Sequence, residues 1–163
     1  MSMFPSDAIQ VIENSAAKVV ILDPPAYAFG VWILFLATCT LAGAIALLVN
    51  DLGVGFAAIP VVIALSLAAF GSYLATSKTV YTLSKQDSLL RTQNYRWGMK
   101  SKETALRLAD IRRVIVETIQ YSHILTIVLN SGENFNLGNG SNRQGYFGAA
   151  DAINDFLGVP RER

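Results

Sequence analysis

Few side chains in this 163-residue chain could do chemistry, and their spacing does not favour it. There is one histidine, His123, and one cysteine, Cys39. A single cysteine excludes an intrachain disulfide or a Cys-based metal site. One histidine cannot build a zinc centre, and no His-Glu-x-x-His or Gly-rich phosphate loop occurs. His123 stands near Tyr121 at the start of a strand-like run, with nothing placing a nucleophile beside it. It reads as a satisfied surface or rim histidine rather than a catalytic base. Gly138-Asn139-Gly140 reads as a turn, with a phosphate cradle as the second reading. The expectation is a non-enzymatic protein with no catalytic, cofactor-binding or metal-ligating residue and no small-molecule substrate.

The cations are more informative. Arg91, Arg96, Lys100, Lys102, Arg107, Arg112 and Arg113 fall within 23 residues that hold only Glu103 and Asp110 as acids. Beside an anionic leaflet each well-placed cation contributes about 1 kcal/mol, enough in sum to orient a domain. Nucleic acid is not expected, because the whole segment 77–163 carries only +4.

The elements that must position these residues begin with two apolar runs. Ala26–Val49 is 24 residues without an Asp, Glu, Lys or Arg, and Leu52–Thr76 is 25 more. A membrane span needs about 20 apolar residues at about 1.5 Å of rise each. Only Asn50 and Asp51 separate the runs, so a tight turn joins them into a transmembrane hairpin. The other reading, a buried helical pair in a soluble core, needs a larger shell than the strand-like remainder supplies. A cleaved signal peptide is not expected: the run is long and its lead-in is acidic.

Charge gives the orientation. Residues 1–25 carry −2, the turn carries −1, and residues 77–163 carry +4. Lys78 and Lys85 follow the second helix closely, with Arg91 and Arg96 soon after. Positive residues near membrane ends stay on the cytoplasmic side. Both termini are therefore expected in the cytoplasm, or in the stroma of an organelle. Tyr27, Trp32 and Tyr73 lie near the helix ends, where amphipathic rings favour the headgroup zone.

At membrane depth the hairpin has no His, Met or charged residue, so it offers no usual haem ligand and no ion path. It is rich in small residues: Ala37, Thr38, Thr40, Ala42, Gly43, Ala44 and Ala46 on the first run, and Gly53, Gly55, Ala57, Ala58, Ala64, Ala68, Ala69 and Gly71 on the second. These let helix backbones approach closely, within the hairpin or against the helices of a partner. Pro60 is expected to kink the second helix.

Past residue 77 the chain reads as short strands: Thr79–Ser84, Leu89–Trp97, Thr104–Leu108, Ile111–Gln120, His123–Asn130 and Asn134–Leu137. Lys85–Ser88 and Ser131-Gly132 read as turns, and Gly138–Gly140 as a break. Tyr146, Ala149, Ala150, Ile153, Phe156 and Leu157 then form one helical stripe. Ser141 or Asn142 can cap this helix, and Gly158 and Pro160 stop it. The expected core holds Trp97, Val114, Val116, Ile127, Phe135, Ile153 and Phe156.

This order of elements resembles the bacterial pleckstrin-homology-like (PH-like) membrane proteins, in which such a domain follows two transmembrane helices. The matching segments are Val80–Leu83, Leu90–Gly98 and Leu106–Val116, with Asp110-Ile111 at the step. A narrower likeness is to the photosystem I assembly factors. It rests on Arg96-Trp97-Gly98, Asp110-Ile111, Val116-Glu117, Ala149-Ala150 and Phe156-Leu157-Gly158-Val159-Pro160. The chain departs from that pattern in its compact loops and its N-terminal segment. The resemblance implies biogenesis or support of a membrane complex, photosynthetic complexes among them, without a defined lipid pocket.

The expected architecture is therefore an α+β membrane protein: a tail over 1–25, a hairpin over 26–76, a small PH-like antiparallel barrel or sheet with a C-terminal helix over 77–158, and a short tail over 159–163. The expected function is a scaffold, assembly factor or accessory subunit of a larger integral complex. The alternative is a stand-alone module that binds anionic lipid or acts in membrane stress. The expected site of residence is the inner or a photosynthetic membrane, with the bilayer itself as one partner. Candidate partner contacts are Gly43 and Gly71 in the hairpin, and Arg96, Trp97, Arg112, Arg113 and Glu117 in the domain.

Overall fold

The computed structural model describes residues 9–49, 54–101 and 103–160. The expected Asn50-Asp51 turn lies outside the described residues, as do Lys102 and both chain ends. The chain forms two compact units.

One unit is helical: Pro25–Ser77 together with Arg96–Met99. It contains α1 (Tyr27–Val49) and α2 (Val54–Thr76). Both are predominantly apolar and hold no Asp, Glu, Lys or Arg. Only 17% of the span-length window of each is buried. The helices are long and apolar enough to cross a membrane. Pro60 lies inside α2, which remains one continuous element.

The buried positions explain the pairing. They include Gly30, Ala37 and Ala44 on α1 and Ala57, Ala64 and Gly71 on α2. Each set recurs every seven residues, which keeps a small-residue seam facing its partner along the pair. At Gly30 the helices nearly touch. A Cβ there would lie 2.8 Å from the Ala75 nitrogen and 2.9 Å from the Gly71 oxygen. Large side chains such as Phe29, Trp32, Phe35 and Phe56 face outward.

The other unit joins residues 9–24 to Lys78–Tyr95 and 100–160. Residues 9–24, expected as tail, instead hold β1 (Gln10–Asn14) and β2 (Lys18–Asp23). These strands are followed by β3 (Lys78–Ser84), β4 (Leu89–Arg96), β5 (Met99–Lys100) and β6 (Thr104–Arg107). Their order is β1-β2-β3-β4-β5, with β6 also on β4. β2 and β3 pair antiparallel from Lys18↔Ser84 to Asp23↔Thr79, so the helix pair is inserted between two hydrogen-bonded neighbours.

A second antiparallel sheet holds β7 (Ile111–Ile119), β8 (Ser122–Leu129) and β9 (Asn134–Gly140) in that order. The two sheets remain open rather than closing into a barrel. The expected break at Gly138–Gly140 is instead the end of β9, with a register shift opposite Leu125. The final helix, α3 (Arg143–Leu157), starts where the Asn142 side chain accepts from Gly145 N–H at 3.0 Å. Gly158 ends it at φ +72°, while Val159 N–H reaches back to the Asn154 carbonyl at 2.9 Å. Only a residue tolerant of positive φ suits that stop.

The core lies where α3 meets both sheets. Val19, Ile21, Leu83 and Leu90 come from the first sheet, Val114, Leu125 and Ile127 from the second, and Ile153 and Phe156 from α3. Val116 packs on its margin. Phe135, expected in the core, is 41% exposed, because β9 is the edge of an open sheet. One buried polar contact fixes α3. Asn154 is 5% exposed, accepts from Val114 N–H at 2.9 Å, and donates to Val114 C=O at 2.8 Å.

Gly30→Ala should destabilise the helix pair by about 1–3 kcal/mol, since the added methyl meets backbone atoms that cannot yield without separating the helices. Gly43→Ala should be near neutral, because a Cβ there meets nothing within 4 Å. Denaturant midpoints in detergent compare the two directly. Phe156→Ala should cost the domain about 3–5 kcal/mol, as for a full core aromatic. A loss below about 1 kcal/mol would show that α3 is not docked through this ring.

Candidate functional site

The partner-contact candidates fall in three places. Gly71 belongs to the hairpin seam: its Cβ would lie 3.0 Å from the Gly30 oxygen and from Leu34. A substitution there tests closure of the hairpin, not a partner. Gly43 faces open space on α1. Arg112 sits exposed at a bulge of β7, Arg113 is half-buried, and Glu117 is exposed farther along the same strand.

Arg96 and Trp97 lie with the helices. The Trp97 ring meets Tyr73 of α2 edge-on, with centroids 6.1 Å apart, and the Arg96 guanidinium stands 5.8 Å from the Tyr73 centroid. Trp97 is 54% exposed, which corrects its expected core position. The cause is local. Trp97 and Gly98 form a two-residue connection from β4 to β5, with φ +49° and +75°. Positive φ at both central residues marks a type I′ hairpin turn, and side chains of such turns project from the strand pair. Tryptophan at positive φ is unusual and strained. Met99, next along, is exposed as well.

His123 is nearly buried, with Nδ1 2.9 Å from Thr118 Oγ1 across the β7–β8 pair. Its ring meets Phe147 edge-on at 6.2 Å. Among the described residues, no three of His, Cys, Asp and Glu gather to hold a metal.

One polar cluster escaped the sequence reading. Asp23 ends β2, and burial pushes its carboxyl up to about 6. Tyr81 of β3 and Tyr146 of α3 are also pushed up, first by burial and then by the Asp23 charge. Two glycines of β9 make room for the group. A Cβ at Gly138 would lie 3.0 Å from Asp23 Oδ2, and one at Gly140 would lie 2.9 Å from the Tyr146 hydroxyl. The Gly-Asn-Gly segment is thus strand backbone relieved of side chains where polar groups press against it. The sequence carries that signal, but read locally Asp23 belongs to a tail and has no strand to end. A carboxyl titrating near 6 can hold or release a proton close to neutrality.

Neither a family model nor a curated protein matches this chain. By its fold the chain is an α+β protein in which an apolar helix pair interrupts an antiparallel sheet.

The Asp23 shift predicts a pH dependence. The folded state holds this proton more tightly than the unfolded chain, so the group favours folding most below about pH 4. That contribution should fall as pH rises to about 6 and stay level above it. Asp23→Asn should remove the fall and leave the variant the more stable of the two above pH 6. Unfolding midpoints of both chains, measured from pH 4 to 8, check the sign; parallel profiles would deny the burial of this carboxyl.

Proposed function

We propose that this protein is a non-enzymatic integral membrane scaffold, assembly factor or accessory subunit of a larger membrane complex. The observation that carries the reading is the insertion of an outward-apolar helix pair between two paired strands of a polar domain. Thr38, Thr40 and Ser66 each donate to the carbonyl four residues back, so these hydroxyls are satisfied within their own helices, as lipid demands. The small-residue seam closes the pair on itself, which leaves the outer faces, Gly43 included, for lipid or the helices of a partner.

Because β2 and β3 pair, the segments before and after the hairpin share one side of any bilayer it crosses. The basic excess past residue 77 supports a cytoplasmic or stromal location for that side. Tyr73, Trp97 and Arg96 then form an interfacial anchor, with rings in the headgroup zone and the guanidinium at its phosphates. The same cluster favours the second reading, a stand-alone module on anionic lipid. The order of strands before a C-terminal helix supports the likeness to PH-like membrane proteins.

Native electrophoresis in mild detergent separates the readings. Comigration with one large integral complex is expected. Monomers or homo-oligomers that bind anionic liposomes would favour the lone lipid module. Impermeant thiol labelling of Asn14→Cys and Asn139→Cys in a Cys39→Ala background should be blocked in intact cells. Labelling of either residue from outside would reverse the orientation.

A further inference from the structure

β2 ends at a point of the fold where a charge is hard to keep. Asp23 is its last residue, half-buried and in register with Thr79 of β3. Pro24 and Pro25 follow, and neither has an N–H to extend the ladder. Asp23 is therefore the last tie of this strand before α1 begins at Tyr27. Side chains alternate along a strand, so Asp23 shares the face of Val19 and Ile21, both fully buried. Its carboxyl lies at the end of the core and not on the outer surface of the sheet.

β9 meets that carboxyl with bare backbone. The position a Gly138 Cβ would take is 3.0 Å from Asp23 Oδ2 and 3.9 Å from the Tyr146 hydroxyl, so acid and phenol converge on one stretch of strand. Gly140 makes the same room for the Tyr146 ring. The titratable groups that feel the Asp23 charge are Tyr81 on β3 and Tyr146 on α3, both buried. On β8 the titratable group at this end is His123, in register with Gly140 and engaged with Thr118 and Phe147. None of the ion pairs among the described residues includes Asp23. The neutral acid suits such a site. The anion needs water or hydrogen-bond donors, and the two glycines leave space for them.

We propose that Asp23, Tyr81 and Tyr146 form a proton-operated clasp that joins the ends of β2 and β9 to the start of α3. With the carboxyl protonated the clasp is dry and closed. When the proton leaves Asp23 for solvent, water enters between β2 and β9 and the three ends part locally, with no other bond made or broken. The clasp sits where β2 leaves for the helix pair, so acid tightens that exit and neutral pH loosens it while the core stays folded. This goes beyond the scaffold reading and holds whether or not the chain serves a larger complex. The carboxyl, pushed up to about 6 from an ordinary 3.8, sets the size of the effect. Opening that rehydrates Asp23 should be about tenfold more frequent at pH 7 than at pH 5, and level above pH 7.

The test is amide hydrogen exchange on the full chain in detergent micelles from pH 5 to 8, corrected for the intrinsic rate at each pH. Protection over 138–146 should fall about tenfold from pH 5 to pH 7. At pH 7 it should lie well below that of the core segment 124–128 and respond little to low urea, the mark of a local opening. Asp23→Asn keeps the shape of the side chain and cannot ionise, so it should hold the acid-side protection at every pH. In the natural chain the Asp23 carboxyl-carbon resonance should titrate over the same range as the step, which keeps the test decisive without a variant. The proposal is overturned by any of four results: protection over 138–146 does not change with pH; the same step persists in Asp23→Asn; this segment matches 124–128 in protection and urea dependence, so that it opens only when the whole domain unfolds; or the Asp23 resonance titrates at its ordinary value.

Discussion

The pairing of β2 with β3 is the constraint on which the rest depends. Adjacent strands lie about 4.8 Å apart, whereas packed helices prefer about 8–10 Å. The chain leaves the sheet after Asp23 and returns at Lys78, and Asp23 is in register with Thr79. The helix ends must therefore start close together and stay close. Gly30 against Gly71 and Ala75 permits that approach near the base of the pair. The alanines at seven-residue intervals continue the seam along both helices. A bulky residue at Gly30 would meet the Ala75 and Gly71 backbone of the other helix at once.

How much of this was legible in the sequence follows from which signal each segment carries. The helices announced themselves by length and lack of charge. The strands from β3 onward, the Asn142 cap and the Gly158 stop followed from alternation and punctuation. β1 and β2 did not, although Lys18-Val-Val-Ile-Leu-Asp23 is a good β-branched strand. Its partner lies beyond the whole hairpin, and nothing local shows that a strand at residue 20 pairs with one at residue 82. That single omission also hid the Asp23 cluster. Trp97 misled for another reason: a large aromatic ring is usually core, but the Gly after it marked a two-residue turn. Of the candidate contacts, Gly71 was spent on the hairpin itself, because small residues look alike whichever neighbour they admit.

The final helix carries two demands on adjacent stripes. Tyr146, Ala149, Ile153 and Phe156 face the core shared by the two sheets. Phe147, Asp151 and Asn154 turn toward the β7 edge, with Ala150 serving both. A buried asparagine is costly unless its amide is fully paired, and here both ends are used on one residue of a strand. A leucine would fill the same volume but orphan the N–H and C=O of Val114. The residue type at position 154 is thus set by the sheet edge and not by the core.

Among the described residues no further strand of the chain joins β7 on its outer edge, and the path of the chain explains it. β6 ends at Arg107, and a short 3-10 turn, Leu108–Asp110, redirects the chain into the second sheet. Asn130 fastens that redirection from the β8 side, with its N–H on the Asp110 carbonyl and its side chain on the Ala109 carbonyl, both at 2.8 Å. With the turn fixed, β7 enters the second sheet at its margin, beside α3 rather than beside another strand. An open edge attracts indiscriminate pairing unless it is blunted. Asn154 blunts it at Val114, where one side-chain amide bonds both the N–H and the C=O of the strand.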